Sequence, residues 1–202
     1  MRRRAVLMTA AALALPALAG CADHRAEASR LAEPAFDPPA WFSGDTYAYG
    51  LFEARGGAAK FGFHTWLHGA PAADGFTLRE RFVYDTGERW ERTWRFTRTG
   101  PAAWSATADN VRGSGEMTVA GDVARIRYGA DMPTGAPGSG RTIALRFDMV
   151  LNRLGDGMVV NRAFVSKFGV GVGRITMVFV KPGAAWPEAA GVATLPPFPR
   201  PR

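Results

Sequence analysis

Two neighbouring stretches of this chain alternate so regularly that they nearly dictate their own pairing. Phe76, Leu78, Glu80, Phe82 and Tyr84 fall on one face of a strand, and Glu88, Trp90, Arg92, Trp94 and Phe96 on one face of the next. Between them Asp85-Thr86-Gly87 suits a three-residue turn with Gly87 in the left-handed conformation. That turn sets Tyr84 opposite Glu88, then Phe82 opposite Trp90, Glu80 opposite Arg92, Leu78 opposite Trp94 and Phe76 opposite Phe96. Apolar side chains then meet apolar or aromatic ones, and the register is self-consistent.

The same alternation recurs along the chain, broken by Gly, Asp, Asn and Pro. It predicts strands near Thr46–Ala54, Ala59–Leu67, Phe76–Tyr84, Glu88–Thr97, Ala103–Val111, Gly115–Val119, Val123–Tyr128, Thr142–Leu151, Met158–Val165 and Arg174–Val180. No segment in this region carries a helical period long enough to compete, and no internal repeat is visible. Evenly spaced strands with short turn signals indicate an all-β antiparallel meander, closed into a barrel or folded as a sandwich. The 24 glycines fit tight turns and barrel bends.

The pairing puts Glu80 and Arg92 in the middle of an aromatic face. A carboxylate there must be paired or stay protonated. One reading makes Glu80 and Arg92, with Trp90, Trp94, Phe82 and Tyr84, the lining of a pocket that contacts a ligand head group. The other is a structural ion pair, or a face that is simply solvated. A buried ion pair is weak evidence for stability, because its desolvation cost can exceed the attraction. A ligand is one account of its presence.

The beginning of the chain concerns location. Arg2, Arg3 and Arg4 precede an apolar run from Ala5 to Ala19, which reads as a secretory signal peptide. The run stops short of the ~20 apolar residues a membrane span needs. Leu18-Ala19-Gly20-Cys21 resembles a bacterial lipobox. The resemblance implies a diacylglycerol thioether on Cys21, cleavage before it, and acylation of the new amino terminus. The bland alternative is an ordinary thiol beside an ordinary cleavage site, although Cys21 is the only cysteine. Several buried chains at about 0.8 kcal/mol per CH₂ hold a protein firmly where one does not. Ala22, in place of Asp, resembles lipoproteins sorted to the outer membrane, with the domain facing the periplasm. Arg3-Arg4-Ala5-Val6-Leu7 also resembles a weak twin-arginine signal, beside the plainer general-secretion route.

The expected organisation is a signal peptide over residues 1–20, the lipidated Cys and a Pro-rich extended tether over 21–40, a β domain over 41–181, and a Pro- and Ala-rich tail over 182–202. Of the 202 residues, 182 remain once the first 20 are removed, enough for one ordinary domain. The formal charge of +7 falls by three to +4 with the signal's arginines, and the remaining charges are scattered. A nucleic-acid partner is therefore not expected. A lone cysteine excludes an intramolecular disulfide, so the 13 Phe and 6 Trp must supply the core.

The last third carries Val160-Asn161-Arg162-Ala163-Phe164, Ser166-Lys167-Phe168-Gly169-Val170 and Val172-Gly173-Arg174-Ile175-Thr176-Met177. With Phe42-Ser43-Gly44, the Glu80, Phe82, Tyr84 and Arg92, Trp94 pattern, and Ala108-Asp109-Asn110-Val111-Arg112-Gly113, this resembles the bacterial lipoprotein family called domain of unknown function 3833. The likeness runs from about Trp41 to Lys181. It implies a relative of lipocalin-type barrels, without an established activity. In the family pattern an acidic residue and a Trp follow the Asp matching Asp148. Here Met149 and Val150 stand there, so a role resting on those two does not carry over.

Other candidates are weaker. His64 and His68 share a strand face but lie about 13 Å apart, too far for one metal ion unaided. No metal or other cofactor is expected. Gly169-Val170-Gly171-Val172-Gly173 lacks the Lys-Ser/Thr and helix of a phosphate loop and reads as a turn between strands. Ser114, in Arg112-Gly113-Ser114-Gly115, reads as a hairpin turn, not a nucleophile elbow. Of the polar Asn161, Arg162 and Lys167 in an apolar stretch, Arg162 and Lys167 are secondary pocket candidates, with Asp148. Three functions compete. The first is a membrane-anchored protein binding an apolar or amphipathic ligand, such as a lipid, inside a barrel. The second is a scaffolding lipoprotein docking an unidentified protein partner. The third is an enzyme on lipid or cell-wall material using Glu80, Asp109 or Asp148 as acid or base. The third lacks a nucleophile–base pair, and no catalytic residue is assigned.

Overall fold

The computed structural model describes residues 35–134 and 140–183. A short helix, α1 (Pro38–Phe42), precedes ten strands: β1 (Gly44–Ala54), β2 (Ala59–Ala72), β3 (Gly75–Tyr84), β4 (Arg89–Gly100), β5 (Ala103–Thr107), β6 (Gly115–Ala120), β7 (Val123–Pro133), β8 (Thr142–Arg153), β9 (Met158–Lys167) and β10 (Val170–Val180). Each strand runs antiparallel to its neighbours in sequence, and β1 pairs with β10, from Tyr47 opposite Val180 to Ala54 opposite Gly173. Of the two architectures that alternation allows, the chain adopts the closed barrel, which leaves no sheet edge to pair with another molecule. The expected signal peptide, Cys21 and the chain beyond residue 183 lie outside the described residues.

Period-two alternation becomes an inside and an outside. On β3, Phe76, Leu78, Glu80 and Phe82 are buried within the barrel while Arg79 faces water. The expected hairpin register holds, with Phe76 against Phe96, Leu78 against Trp94, Glu80 against Arg92 and Phe82 against Trp90. Gly87 sits at φ 82°, and Tyr84 and Glu88 close the turn through a 2.9 Å N–H···O bond. A side chain with a Cβ would be strained at that φ, which is why the turn carries glycine.

Several strands run longer than expected, β2 to Ala72 and β7 to Pro133 among them, and three further differences change the reading. The strand expected over Ala103–Val111 ends at Thr107, and Val111 rejoins the sheet only through a single bridge to Ala130. The Gly169–Gly173 run is strand from Val170 onward, with a bulge between Gly171 and Gly173. Glycines there serve a bulge within a strand, which sequence alone does not separate from a turn.

The third difference is α1, where an extended spacer was expected. Asp37 caps it, its Oδ1 accepting from the Ala40 N–H at 3.4 Å, and proline occupies the first helical positions, where no N–H is needed. Phe36, Trp41 and Phe42 are buried against one end of the barrel. Phe42 meets Phe179 edge-on at 5.6 Å and Trp41 at 4.8 Å. Its carbonyl lies 2.0 Å from where a Cβ on Gly69 would stand, so only glycine admits the helix this close. Lys181 closes the joint, its Nζ donating to the carbonyls of Ser43 and Asp45 and to Thr46 Oγ1 at 2.8–3.2 Å. Among the described residues no helix is long and apolar enough to cross a membrane.

Candidate functional site

Glu80 and Arg92 meet inside the barrel because β3 and β4 place them directly opposite and pointing inward. Both side chains are 9% exposed. Glu80 Oε2 accepts from Arg92 Nη2 at 2.6 Å, Arg92 Nε at 2.8 Å and Trp94 Nε1 at 3.0 Å. Three donors on one oxygen compensate much of the carboxylate's lost hydration. The guanidinium lies among rings, its Cζ 4.5 Å from the Trp94 centroid, 5.2 Å from Trp90 and 5.7 Å from Phe82. Such contacts contribute about 0.5–2 kcal/mol each.

Tyr128, on β7, reaches the same group. It stacks on Phe147 at 4.9 Å, meets Trp94 edge-on at 4.9 Å, and its oxygen accepts a hydrogen bond from Arg92. Burial works to depress the Arg92 guanidinium, but Glu80 and Tyr128 outweigh it and hold the group above its usual range. Burial raises the Tyr128 phenol, with Arg92 opposing. Burial also pushes Tyr84 up to about 12, against the pull of Arg92. At neutral pH both phenols are therefore uncharged donors beside a matched ion pair.

These groups form the floor of a graded interior. At the end away from α1, a cavity of about 510 Å³ opens between Phe52, Phe61, Tyr84, Trp90, Leu145 and Ile175. It shares Phe61, Tyr84, Trp90, Phe147 and Ile175 with a deeper space of about 90 Å³, which Glu80, Arg92, Tyr128 and Asn161 also line. Below Arg92, towards α1, only about 40 Å³ remains among Phe42, Phe96, Met117 and their neighbours. All six primary candidates, Glu80, Arg92, Trp90, Trp94, Phe82 and Tyr84, thus face this interior.

The secondary candidates do not. Asp148 lies on the outer face of β8, because Phe147 and Met149 on either side point inward; Arg125 Nε donates to its Oδ1 at 2.7 Å. Arg162 faces solvent because Asn161 and Ala163 take the inward positions of β9. Lys167 ends β9 in step with Asn161 and Val165, but its Nζ lies 5.3 Å from the exposed Phe168 ring and it does not line the cavity. Asp109 sits in the β5–β6 loop and, with Arg112 and Asp131, lines an open groove of about 520 Å³ that shares Trp90 and Pro133 with the cavity mouth. Glu80, Asp109 and Asp148 therefore occupy three separate surroundings. His64 and His68 lie on the outer face of β2, with His68 Nδ1 2.7 Å from Asp45. Among the described residues no group of three or more His, Cys, Asp or Glu could hold a metal ion.

Asn161 was overlooked in favour of its neighbours. It is fully buried, and among the described residues neither Oδ1 nor Nδ2 has a partner. The signal was parity: Val159, Ala163 and Val165 are the apolar alternates of β9, and Asn161 falls in step with them.

Comparison with known proteins places this geometry. The family described as Protein of unknown function (DUF3833) matches residues 15–181. The chain belongs to that family. No curated protein matches it. Among solved structures, the S-type phycobiliprotein lyase CPES from Guillardia theta is similar in fold, with a TM-score of 0.53 at 8% identity over 73% of this chain and 92% of that one. This DUF3833 barrel is accordingly lipocalin-like, with its aromatic cavity and its Glu80–Arg92 floor inside the family match.

Proposed function

We propose that the barrel binds an apolar or amphipathic small molecule, such as a lipid, which enters by the end away from α1. The observation that carries this reading is the graded interior: about 510 Å³ of aromatic-walled space leading to a small polar floor, with the far end filled. Small-molecule sites typically occupy ~300–1,000 Å³, mostly apolar with a few placed polar groups. The likeness to a phycobiliprotein lyase concerns the fold alone and assigns no lyase activity here.

With this goes the proposed address, an acylated Cys21 holding the domain at the periplasmic face of the outer membrane. Cys21→Ser abolishes labelling by a palmitate analogue and moves the protein out of the detergent fraction; labelling that persists would refute the anchor. For the cavity, protein purified from its own membrane is extracted and the extract analysed by mass spectrometry. A stoichiometric apolar compound is expected, and a protein that carries and takes up none would overturn the binding reading.

A second reading, docking to a protein partner in the envelope, is favoured by one feature. Phe168 projects from the β9–β10 turn, 91% exposed, beside an exposed Val170. Crosslinking in intact cells from that turn tests it, and a strictly solitary protein would rule it out.

A further inference from the structure

The floor of the cavity is charge-balanced, yet one of its members has nothing to bond. Glu80 and Arg92 neutralise one another, Trp94 and Tyr128 complete their hydrogen bonds, and the two tyrosines keep their protons. Asn161, lining the same deep space, is 0% exposed, and both its side-chain atoms are unpartnered among the described residues. Of its register neighbours, Leu151 on β8 has no polar side-chain atom and Met177 on β10 only a thioether sulfur, a weak acceptor that Asn161 does not engage. A buried amide left so costs free energy that an apolar residue of similar volume would avoid.

We propose that Asn161 reads the head group of the ligand, and that this head group is uncharged and both donates and accepts hydrogen bonds, as a carboxamide or hydroxyl does. The inference rests on the reading of the cavity as a ligand site. An amide side chain offers one donor face and one acceptor face, so it matches a group with the same duality. A carboxylate or phosphate would find the nearest cation already neutralised by Glu80 and would bring an unpaired charge into the interior. The apolar tail would then run outward along Phe61, Trp90 and Ile175 to the mouth.

The test uses the full chain carrying Cys21→Ser, which has no fatty chains of its own to compete. It is titrated with dodecanamide, dodecanoate and dodecane, and binding is followed through the fluorescence of Trp90 and Trp94. The amide is expected to bind about tenfold more tightly than either of the others, the margin of one good hydrogen bond. Asn161→Leu, or Asn161→Val should leucine overfill the site, is expected to erase that margin while leaving dodecane within roughly twofold. A variant that still prefers the amide would mean that some other group reads the head group, and the inference falls. Equal affinity for all three compounds, or preference for the carboxylate, also overturns it while leaving the cavity a binding site. Failure of the unsubstituted barrel to take up any of the three overturns both readings together.

Discussion

At the α1 end of the barrel, Phe42 meets Phe179 at 5.6 Å and about 40 Å³ of space remains around them. At the opposite end, Phe52 and Phe61 stack at 5.1 Å and border about 510 Å³. Both ends are walled by the same residue types from the same alternating strands. The difference lies in α1 and the residues just before it, a segment outside the strand pattern that brings Phe36, Trp41 and Phe42 to one end. Aromatic content therefore does not distinguish a plug from a cavity wall; the presence of an independent filler does. Between the ends, the Glu80–Arg92 pair belongs to both, touching the packed region below and the open space above.

The severest challenge to this picture is to unbalance the pair. Glu80→Leu or Arg92→Met alone leaves one charge unpaired among aromatic rings, a loss of about 3–5 kcal/mol. The double variant is expected to recover much of that, since each penalty is mainly the charge left behind. Denaturant titration of the three proteins measures it. Single variants within about 0.5 kcal/mol of the parent would mean that the site is wet and the floor is not part of the core.

Next in size is a direct contrast between the ends. Phe42→Ala removes a fully packed ring and is expected to cost about 3 kcal/mol. Phe52→Ala, at the half-buried mouth, is expected to cost about 1 kcal/mol while weakening uptake of an apolar probe. Equal losses at the two sites would erase the distinction between plug and wall.

Much of this could be seen in the sequence because period two is a local signal. The three-residue turn at Asp85-Thr86-Gly87 and the alternation on either side were enough to set Glu80 against Arg92 without any tertiary information. Barrel closure was less legible, since the pairing of Tyr47 with Val180 joins strands that no turn connects. The fate of Phe36 to Phe42 was hidden for a similar reason: Pro34, Pro38 and Pro39 read as a spacer, and the Gly69 backbone that accepts the helix lies in a different strand. Arg162 and Asp148 drew attention by charge, whereas position within the alternation decides which side chain enters the barrel. That criterion selects Asn161.

The mouth can also be probed by pH. With Tyr84 raised from 10.0 to about 12 by burial, the folded state holds its phenolic proton where the unfolded chain releases it. The associated stability is present below pH 10 and is lost as pH rises from there towards 12, on the order of 2 kcal/mol in all. Tyr128, raised as well, adds in the same direction. Comparing Tyr84→Phe with the parent isolates the effect, because the variant should lose less stability over that window. Identical profiles would place the Tyr84 hydroxyl in water and widen the mouth down to the floor.

The smallest effects are expected one residue away from the largest, on the outside of the same wall. Arg162 follows Asn161 on β9 and points into solvent, so Arg162→Ala should stay within about 0.5 kcal/mol of the parent. Asp148 is partly covered and held by Arg125, so Asp148→Asn should cost at most about 1 kcal/mol, and less at high salt as screening weakens the pair. Neither change should alter uptake of an apolar probe, because a closed sheet separates these side chains from the cavity. Asn161→Leu, on the inner face, should change probe selectivity instead. The three variants together measure how completely strand parity partitions this barrel into an inner, cavity-lining face and a solvated one. An effect of Arg162→Ala on uptake comparable to that of Asn161→Leu would show that the ligand reaches the outer surface, and the interior would then not be the whole site.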